Sequence, residues 1–191
     1  MIIGITGGTG CGKTTALEVL REAGASVLDC DRIYHRLLET DQAMLDAISQ
    51  RFPGTVNENI LDRKKLGSIV FADKAALSDL NAITHGAVKQ VVVEQITHLP
   101  HPIAIDAIGL FEGGLAPLCD VTIAVLAPRE DRIRRLMQRE GISAEYARSR
   151  IDAQPPQERF SQLCDHTLTN DTTAQQFREK CLAFFQELGM I

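Results

Sequence analysis

The chain has 191 residues, of which 45% are hydrophobic and 24% are charged, and its formal net charge is -5. This composition is typical of one globular domain, and the acidic balance argues against a general nucleic-acid-binding protein, which normally presents a basic surface. No apolar stretch is long enough to span a bilayer, no leader precedes the first predicted strand, and the five dispersed cysteines form no C-x-x-C pair, so we expect a reduced, cytoplasmic protein without a membrane partner.

The first predicted strand, Ile2 to Thr6, leads directly into a glycine-rich loop. Gly7 to Thr14 fills every fixed position of the phosphate-binding pattern G-x-x-x-x-G-K-[ST], and a helix is predicted from Thr14 to Arg21. Glycines let consecutive N–H groups converge on phosphates at a helix N-terminus, whose partial positive charge favours anions. The pattern therefore predicts an ATP site, with Lys13 on the β- and γ-phosphates and the Thr14 hydroxyl on Mg²⁺. The residues expected to bind the nucleotide are Gly10, Cys11, Gly12, Lys13, Thr14 and Thr15.

Cys11 lies inside this loop, and two interpretations of it are open. Lys13 and the helix N-terminus both lower the pKa of a nearby thiol, which predicts that alkylation of Cys11 inactivates the protein and that bound ATP protects it. Alternatively, Cys11 is only a small side chain in a loop whose backbone amides do the binding.

Short apolar strands alternate with helices along the rest of the chain, a pattern typical of an α/β protein with a buried parallel sheet. Further strands are predicted at 26–29, 103–106, 121–126 and 166–169. The region 31–99 is largely helical and longer than a simple crossover connection. We interpret it as an inserted helical substrate-binding region.

Acidic residues follow two of the predicted strands, where ligands of parallel sheets gather. Asp29 and Asp31 follow the second strand, and Asp106 ends the third. Asp31 is the candidate general base, and its alternative role is the N-cap of a helix that begins near Arg32. Asp106 can bind the acceptor or Mg²⁺, or it can bind backbone groups of the next loop.

Three arginines form a cationic stripe on the helix predicted from Arg129 to Glu140. Arg132, Arg135 and Arg139 lie beside an apolar face, as expected for a mobile lid that stabilises charge during phosphoryl transfer. A solvated helix face, supported by an Asp131–Arg135 pair at i,i+4, is the alternative. We favour Arg139 as the functional arginine. A further helix from Ser143 ends before Pro155-Pro156, and a last one runs from 173 to 188.

Several segments together match one known family. They are the doubled-glycine loop at 5–14, the D-x-D at 29–31, the helical segments LDRKKLGSIVF at 61–71 and LNAITH at 80–85, L-F-E at 110–112, R-L-x-x-R-x-G at 135–141, Ala153-Gln154, and Asn170. In this combination the chain resembles the dephospho-CoA kinases, and the match runs nearly from end to end.

The resemblance implies a three-layer P-loop kinase fold with five parallel strands, a helical CoA-domain insertion and a small helical lid. In one domain of 191 residues, the implied core is 1–30, 100–128 and 157–191, the insertion is 31–99 and the lid is 129–156. The implied activity is transfer of the ATP γ-phosphate to the ribose 3′-hydroxyl of dephospho-CoA, with Mg²⁺ as cofactor. A monomer is expected, with an oligomer left open.

The family's functional residues are carried over by position. The resemblance implies catalytic roles for Lys13, Asp31 and Arg139. The substrate contacts it implies are Asp29, Arg63, His85 and Asp106. On the residues alone, we expect only a structural role for His85.

Three positions depart from the family pattern. The family usually has Ser at Cys11, Pro at Gly86, and Pro-Leu at Ile108-Gly109. Gly109 replaces a bulky residue near the expected substrate cleft, which leaves open a paralogue of altered specificity.

Other functions are the competing interpretations. A kinase of another small hydroxylated metabolite would lack the CoA-domain segment, and a non-catalytic nucleotide-binding paralogue would have lost Lys13 or Asp31. A GTPase is disfavoured because the chain has no N-K-x-D sequence.

Overall fold

The computed structural model describes residues 1–191 as an α/β protein built around a five-stranded sheet. The strands are β1 (Ile2–Thr6), β2 (Ser26–Asp29), β3 (Val56–Asn57), β4 (Ile60–Leu61), β5 (Ile103–Asp106), β6 (Val121–Leu126) and β7 (His166–Thr169). The α-helices are α1 (Lys13–Glu22), α2 (Cys30–Thr40), α3 (Gln42–Arg51), α4 (Arg63–Val70), α5 (Lys74–Ile96), α6 (Arg129–Glu140), α7 (Ala144–Asp152), α8 (Gln157–Leu163) and α9 (Ala174–Glu187).

The sheet is entirely parallel, in the order β2-β5-β1-β6-β7. All five predicted sheet strands are confirmed at their predicted bounds. The carboxyl ends of the strands meet at one edge, where Asp29 pairs in register with Asp106 and Asp106 with Ile5. This edge therefore brings the phosphate loop and the acidic residues together.

Helices cover both faces of the sheet, which explains why its strands are almost continuously apolar. On one face, α1 and α9 pack over β1 and β6 through a cluster that includes Leu17, Leu20, Phe177 and Phe185. On the other face, the helices of the insertion pack over β2 and β5. The predicted three-layer arrangement is confirmed.

A third, small cluster joins α6 to α7 and stands apart from both main cores. It consists of Ile133, Leu136, Ala147 and Ile151. The helix pair also makes polar contacts with the phosphate loop through Arg132, Arg135 and Gln154.

The sequence predicts neither the strands β3 and β4 nor the helix α8. The insertion contains a hairpin of β3 and β4, whose turn residues Glu58 and Asn59 have positive φ angles of 50° and 64°. Strands of two residues are too short to show a period-two pattern. Helix α8 begins directly after Pro155-Pro156, which stop α7 as predicted and also start a new helix. None of the nine α-helices combines the length and apolar character that crossing a bilayer requires.

Candidate active site

The phosphate loop requires glycine at positions where neighbouring side chains approach its backbone. Gly12 has a φ of 107°, and a Cβ there would lie 2.2 Å from Asn170 Nδ2. A Cβ on Gly8 would lie 2.3 Å from Arg132 Nη2. A side chain at position 12 would be strained by the positive φ and would displace Asn170, and one at position 8 would displace the end of the Arg132 side chain, so the glycines allow these residues to approach the loop. Within the loop, Lys13 Nζ donates to the Gly7 carbonyl at 2.9 Å.

A cavity of about 670 Å³, which we call the loop cavity, opens above this loop. Gly8 to Thr14 form its floor, and Asp31, Asp106 and Ile108 form one wall. The opposite wall consists of Arg135, Gln138, Arg139, Arg150 and Gln154. The loop cavity thus joins backbone donors and cationic side chains on one side to two carboxylates on the other, as an anionic substrate and its acceptor require. Of the predicted nucleotide-binding residues, Thr15 lies in α1 and does not line the cavity.

The N-cap of α2 is Asp29, and this decides one question that the sequence left open. Asp29 Oδ1 accepts a hydrogen bond from the Arg32 backbone N–H at 2.9 Å. The alternative role of Asp31 as a helix cap is therefore wrong. Asp31 instead lies in the first turn of α2, exposed, on the wall of the loop cavity.

Asp106 lies at the end of β5, largely buried in the same wall. Burial raises the pKa of its carboxyl to about 6, Lys13 opposes this rise, and Asp29 and Asp31 add to it. Its Oδ1 atom is buried and has no hydrogen-bond partner. An unpaired buried carboxylate oxygen is unfavourable, so this atom is available to a donor or a cation that enters the cavity.

The arginine stripe of α6 divides into two parts. Arg132 is only 3% exposed, and its Nε donates to the Thr9 carbonyl at 2.9 Å. Arg135 Nη1 donates to the Gly10 carbonyl at 3.2 Å. The expected Asp131–Arg135 pair is wrong, because Asp131 accepts from Arg134 at 2.6 Å while Arg135 points into the protein.

The second part of the stripe is Arg139, near the tip of α6. Its side chain is 58% exposed and pairs with Glu140, which also pairs with Arg150 of α7. These arginines lower the pKa of the Glu140 carboxyl through their hydrogen bonds. Arg139 and Arg150 both line the loop cavity, where two cations face the floor on which phosphates are expected.

Two further cavities continue from the loop cavity along α5. The middle cavity, of about 250 Å³, shares Asp31 and Ile108 with the loop cavity and is lined mainly by apolar residues of α2, α5 and the segment after β5. The outer cavity, of about 570 Å³, shares Asn81, His85 and Gly113 with the middle one. His85 therefore lies between the middle and outer cavities, and Asp31 lies between the loop cavity and the middle cavity. The three cavities form a path suited to an elongated acceptor.

Gly109 leaves the middle cavity open. It lines that cavity, and a Cβ added to it would meet only His85 Nε2, at 3.9 Å. A larger side chain at this position would project into space that is now empty.

Two of the residues assigned to substrate binding lie outside these cavities. Asp29 caps α2 and lines a separate depression beside Arg32 and Arg36. Arg63 begins α4 and is exposed. Burial raises the pKa of Tyr34, a residue of the middle cavity, and the charge of Arg63 partly offsets this rise.

Cys11 is not an activated thiol. It is 1% exposed, and burial raises its pKa, outweighing Lys13 and Arg132, which lower it. The predicted low-pKa thiol is thus wrong, because desolvation of the thiolate exceeds the attraction of the nearby charges.

Comparison with known proteins identifies the family. A family profile described as Dephospho-CoA kinase matches residues 1–176. The chain belongs to the dephospho-CoA kinase family. Among curated dephospho-CoA kinases, it is 34% identical to that of Carboxydothermus hydrogenoformans over 97% of this chain and 93% of the relative. It is 38% identical to that of Anaeromyxobacter dehalogenans over 88% of this chain and 83% of the relative.

Solved structures agree with this assignment. A Thermus thermophilus protein of 36% identity superposes with a TM-score of 0.82, covering 98% of this chain and 97% of that protein. The dephospho-CoA kinase of Campylobacter jejuni, at 27% identity, gives a TM-score of 0.70 over 98% and 96% of the two chains. A shikimate kinase from Bacteroides thetaiotaomicron, at 13% identity and a TM-score of 0.61 over 99% and 98% of the two chains, shares the fold alone.

Dephospho-CoA kinases use ATP to phosphorylate a hydroxyl of dephospho-CoA in the last step of CoA biosynthesis, so the predicted enzyme class is confirmed. A kinase of another metabolite and a non-catalytic binding protein are both less well supported.

The sequence predicts no role in the site for several residues that line its cavities, and four of them are polar side chains near the expected reactants: Arg150, Gln138, Gln154 and Tyr34. For Gln154 a signal existed, because it belongs to a segment that resembles the family. For the other three, no local pattern separates a cavity-lining side chain from an ordinary exposed one.

Proposed function

We propose that this protein transfers the γ-phosphate of ATP to the ribose 3′-hydroxyl of dephospho-CoA, with Asp31 as the general base. One observation supports the proposal above all: Asp31 is the carboxylate shared by the loop cavity and the middle cavity. A hydroxyl that enters from the middle cavity meets Asp31 before it meets the phosphates. Proton transfer to a carboxylate at this point is what the reaction needs.

The phosphate loop binds the triphosphate through its backbone N–H groups and through Lys13. In this proposal Lys13 Nζ leaves the Gly7 carbonyl, its present acceptor at 2.9 Å, for the β- and γ-phosphates. Arg139 and Arg150 approach from the opposite wall and stabilise the charge that spreads over the transferred group.

The residues present fit Mg²⁺. The Thr14 hydroxyl is exposed to the loop cavity, and the buried Asp106 Oδ1 atom lacks a partner. Oxygen ligands of this kind are those that Mg²⁺ prefers, and it usually takes the rest from phosphates and water. No group of three His, Cys, Asp or Glu residues surrounds the site, so the protein would supply only a minority of the ligands. When bound, Mg²⁺ neutralises charge on the phosphate oxygens.

The acceptor lies along the middle and outer cavities. The apolar middle cavity suits the adenine and ribose, and the outer cavity, lined by Lys74, Ser78 and Glu112 among others, suits the more polar remainder. Asp31 accepts the proton of the 3′-hydroxyl while the hydroxyl oxygen forms a bond to the γ-phosphorus. The bond between the γ-phosphorus and the β-γ bridging oxygen breaks, which releases ADP.

The helix pair α6–α7 serves as the lid in this proposal. It carries Arg139 and Arg150, and its closure would exclude water, which would otherwise compete with the acceptor for the phosphoryl group. The domain boundaries, the monomeric state and the cytoplasmic location stay predictions of the sequence.

The test is ADP release by purified protein with Mg-ATP and dephospho-CoA, compared with adenosine, shikimate and gluconate as acceptors. We expect turnover with dephospho-CoA alone and a product that co-elutes with CoA. Lys13→Ala controls for contaminating kinases, because it removes the only lysine in the loop. Failure to phosphorylate dephospho-CoA while ATP still binds would overturn the proposed acceptor.

A further inference from the structure

Three consecutive carbonyls of the phosphate loop accept hydrogen bonds from side chains outside the loop. The Thr9 carbonyl accepts from Arg132 Nε at 2.9 Å, and the Gly10 carbonyl from Arg135 Nη1 at 3.2 Å. The Cys11 carbonyl accepts from Asn170 Nδ2 at 2.9 Å. Every donor comes from a segment more than 100 residues away along the chain.

The same side chains also bind one another. Arg135 Nη2 donates to Asn170 Oδ1 at 3.0 Å and to the Asn170 carbonyl at 3.3 Å. Gln154 Oε1 accepts from the Thr9 backbone N–H at 2.8 Å and from Arg132 Nη2 at 3.0 Å. We call Arg132, Arg135, Gln154 and Asn170 the loop collar.

The loop collar is packed rather than loosely attached. Asn170 is 5% exposed and Arg132 3% exposed. Arg132 lies against Gly8 and Asn170 against Gly12, in space that a side chain at either position would occupy. The Asn170–Cys11 hydrogen bond is buried and the other collar bonds are partly buried, so removal of the Asn170 side chain leaves the Cys11 carbonyl without a hydrogen-bond partner.

The orientation of these carbonyls fixes the orientation of the N–H groups. A peptide unit is planar and trans, so its N–H points away from its C=O. With the Thr9 and Cys11 carbonyls held by the collar, the Gly10 and Gly12 N–H groups point the other way, and neither makes a hydrogen bond within the protein. The Cys11 N–H makes only a long bond, 3.3 Å, to the Gly8 carbonyl.

We propose that Arg135 and Asn170 are positioning residues for ATP: Asn170 holds the Cys11 carbonyl outward so that the Gly12 N–H faces the phosphates before ATP arrives, and Arg135 holds the Asn170 side chain and the Gly10 carbonyl in place. Arg135 thus acts through the loop backbone, whereas Arg139 faces the cavity itself. When the donors are already oriented, binding requires no free energy to rotate peptide units, so we expect the collar to raise the affinity for the nucleotide.

The collar also anchors the lid. Arg132 and Arg135 lie in α6, and Gln154 follows α7, so both helices of the pair are connected to the phosphate loop. Arg139 and Arg150, which line the loop cavity, take no part in these bonds.

The experiment measures binding of Mg²⁺ with a non-hydrolysable ATP analogue, in the absence of acceptor. We expect Asn170→Ala to weaken binding roughly ten- to hundredfold, as loss of a buried hydrogen-bond partner that orients a ligand site does. Thr122→Ala is the matched control. Thr122 is also buried and bonds Asp165 at 2.7 Å. However, this bond lies at the amino ends of β6 and β7, at the edge of the sheet away from the phosphate loop. Its affinity should stay within twofold of wild type.

A second variant guards against a merely unstable protein. Lysine cannot reach Gly10 and Asn170 together, so Arg135→Lys should weaken binding about tenfold, whereas Arg134→Lys on the exposed face should not. In steady state, KM for ATP should rise for Asn170→Ala and Arg135→Lys while KM for dephospho-CoA stays constant.

Equal affinities of Asn170→Ala and Thr122→Ala would overturn the proposed positioning role. The inference rests only on the nucleotide half of the proposed function. Because no acceptor is present in the binding experiment, failure of dephospho-CoA as a substrate would overturn the proposed acceptor and leave this measurement intact.

Discussion

The nucleotide half and the acceptor half of this site are built in different ways. Around the phosphate loop, the collar satisfies the Thr9, Gly10 and Cys11 carbonyls before any ligand is present. On the acceptor side of the phosphate loop, Asp31 forms no ion pair, and Asp106 in the same wall of the loop cavity keeps a buried oxygen without a partner. In our proposal the first half is preorganised, and we expect the second to be completed by its substrate. Changes in the acceptor half should therefore alter turnover more than they alter nucleotide binding.

The largest effect is expected for Asp31→Asn, which removes the proposed base from the acceptor half. We expect kcat to fall by about a hundredfold or more, while affinity for the ATP analogue stays within twofold, because Asp31 bonds no part of the phosphate loop. Single-turnover kinetics and analogue binding measure the two quantities. An unchanged kcat would remove Asp31 from the mechanism.

Arg139→Ala tests the cavity-lining end of α6 independently of Arg132 and Arg135, which bind the phosphate loop. We expect kcat to fall on the order of a hundredfold, because the arginine would stabilise charge mainly in the transition state. The melting temperature should not change, since the side chain is 58% exposed. Arg134→Ala, on the exposed face of α6, is the control and should keep full activity. Equal losses in both variants would contradict a specific role for Arg139.

Gly109→Leu tests the open middle cavity. Leucine would fill space beside His85, so KM for dephospho-CoA should rise roughly tenfold while KM for ATP stays the same. Gly86→Leu adds the same volume one residue from His85, but toward solvent, since a Cβ there meets no atom within 4 Å. It should leave both KM values unchanged. A Gly109→Leu enzyme with unaltered KM values would place the acceptor elsewhere.

Asp106→Asn should stabilise the ligand-free protein. The pKa of this carboxyl is about 6 in the folded state against 3.8 ordinarily, so the folded protein binds the proton more tightly, and stability falls as the pH rises from about 4 to 6. Asparagine removes that loss and should add roughly 1 to 3 kcal/mol above pH 7 and nothing below pH 4. Urea denaturation of both proteins at pH 4 and pH 8 measures this difference. Equal stability at pH 8 would show that the buried carboxylate costs nothing.

The smallest effect concerns Cys11. Because it is buried and its thiol pKa is raised, we expect N-ethylmaleimide at neutral pH to leave Cys11 unmodified and activity intact over the time in which exposed thiols react. Mass spectrometry of peptides locates the label. Rapid labelling of Cys11, prevented by ATP, would restore the reactive-thiol hypothesis and show that the loop opens.

Local patterns predicted the scaffold well and the contacts of charged side chains poorly. The sheet strands were predictable as apolar runs, and the phosphate loop from its glycines and Lys13. The Asp131–Arg135 pair was predicted from helical spacing, but spacing does not tell which arginine faces the phosphate loop. The same limit applied to Asp29 and Asp31, because both follow β2 and either could cap a helix.

The sequence by itself determined the parallel sheet, the position of the phosphate loop at its edge and the family to which the chain is similar. These features depend on residues adjacent in the chain, whose backbone preferences and hydrophobicity act locally. Only the tertiary structure decided that Asn170 binds the Cys11 carbonyl, 159 residues away, and that the Cys11 thiol is buried. Hydrogen bonds across such separations, and the desolvation of a buried group, depend on every element packed around them, which no single segment of the sequence specifies.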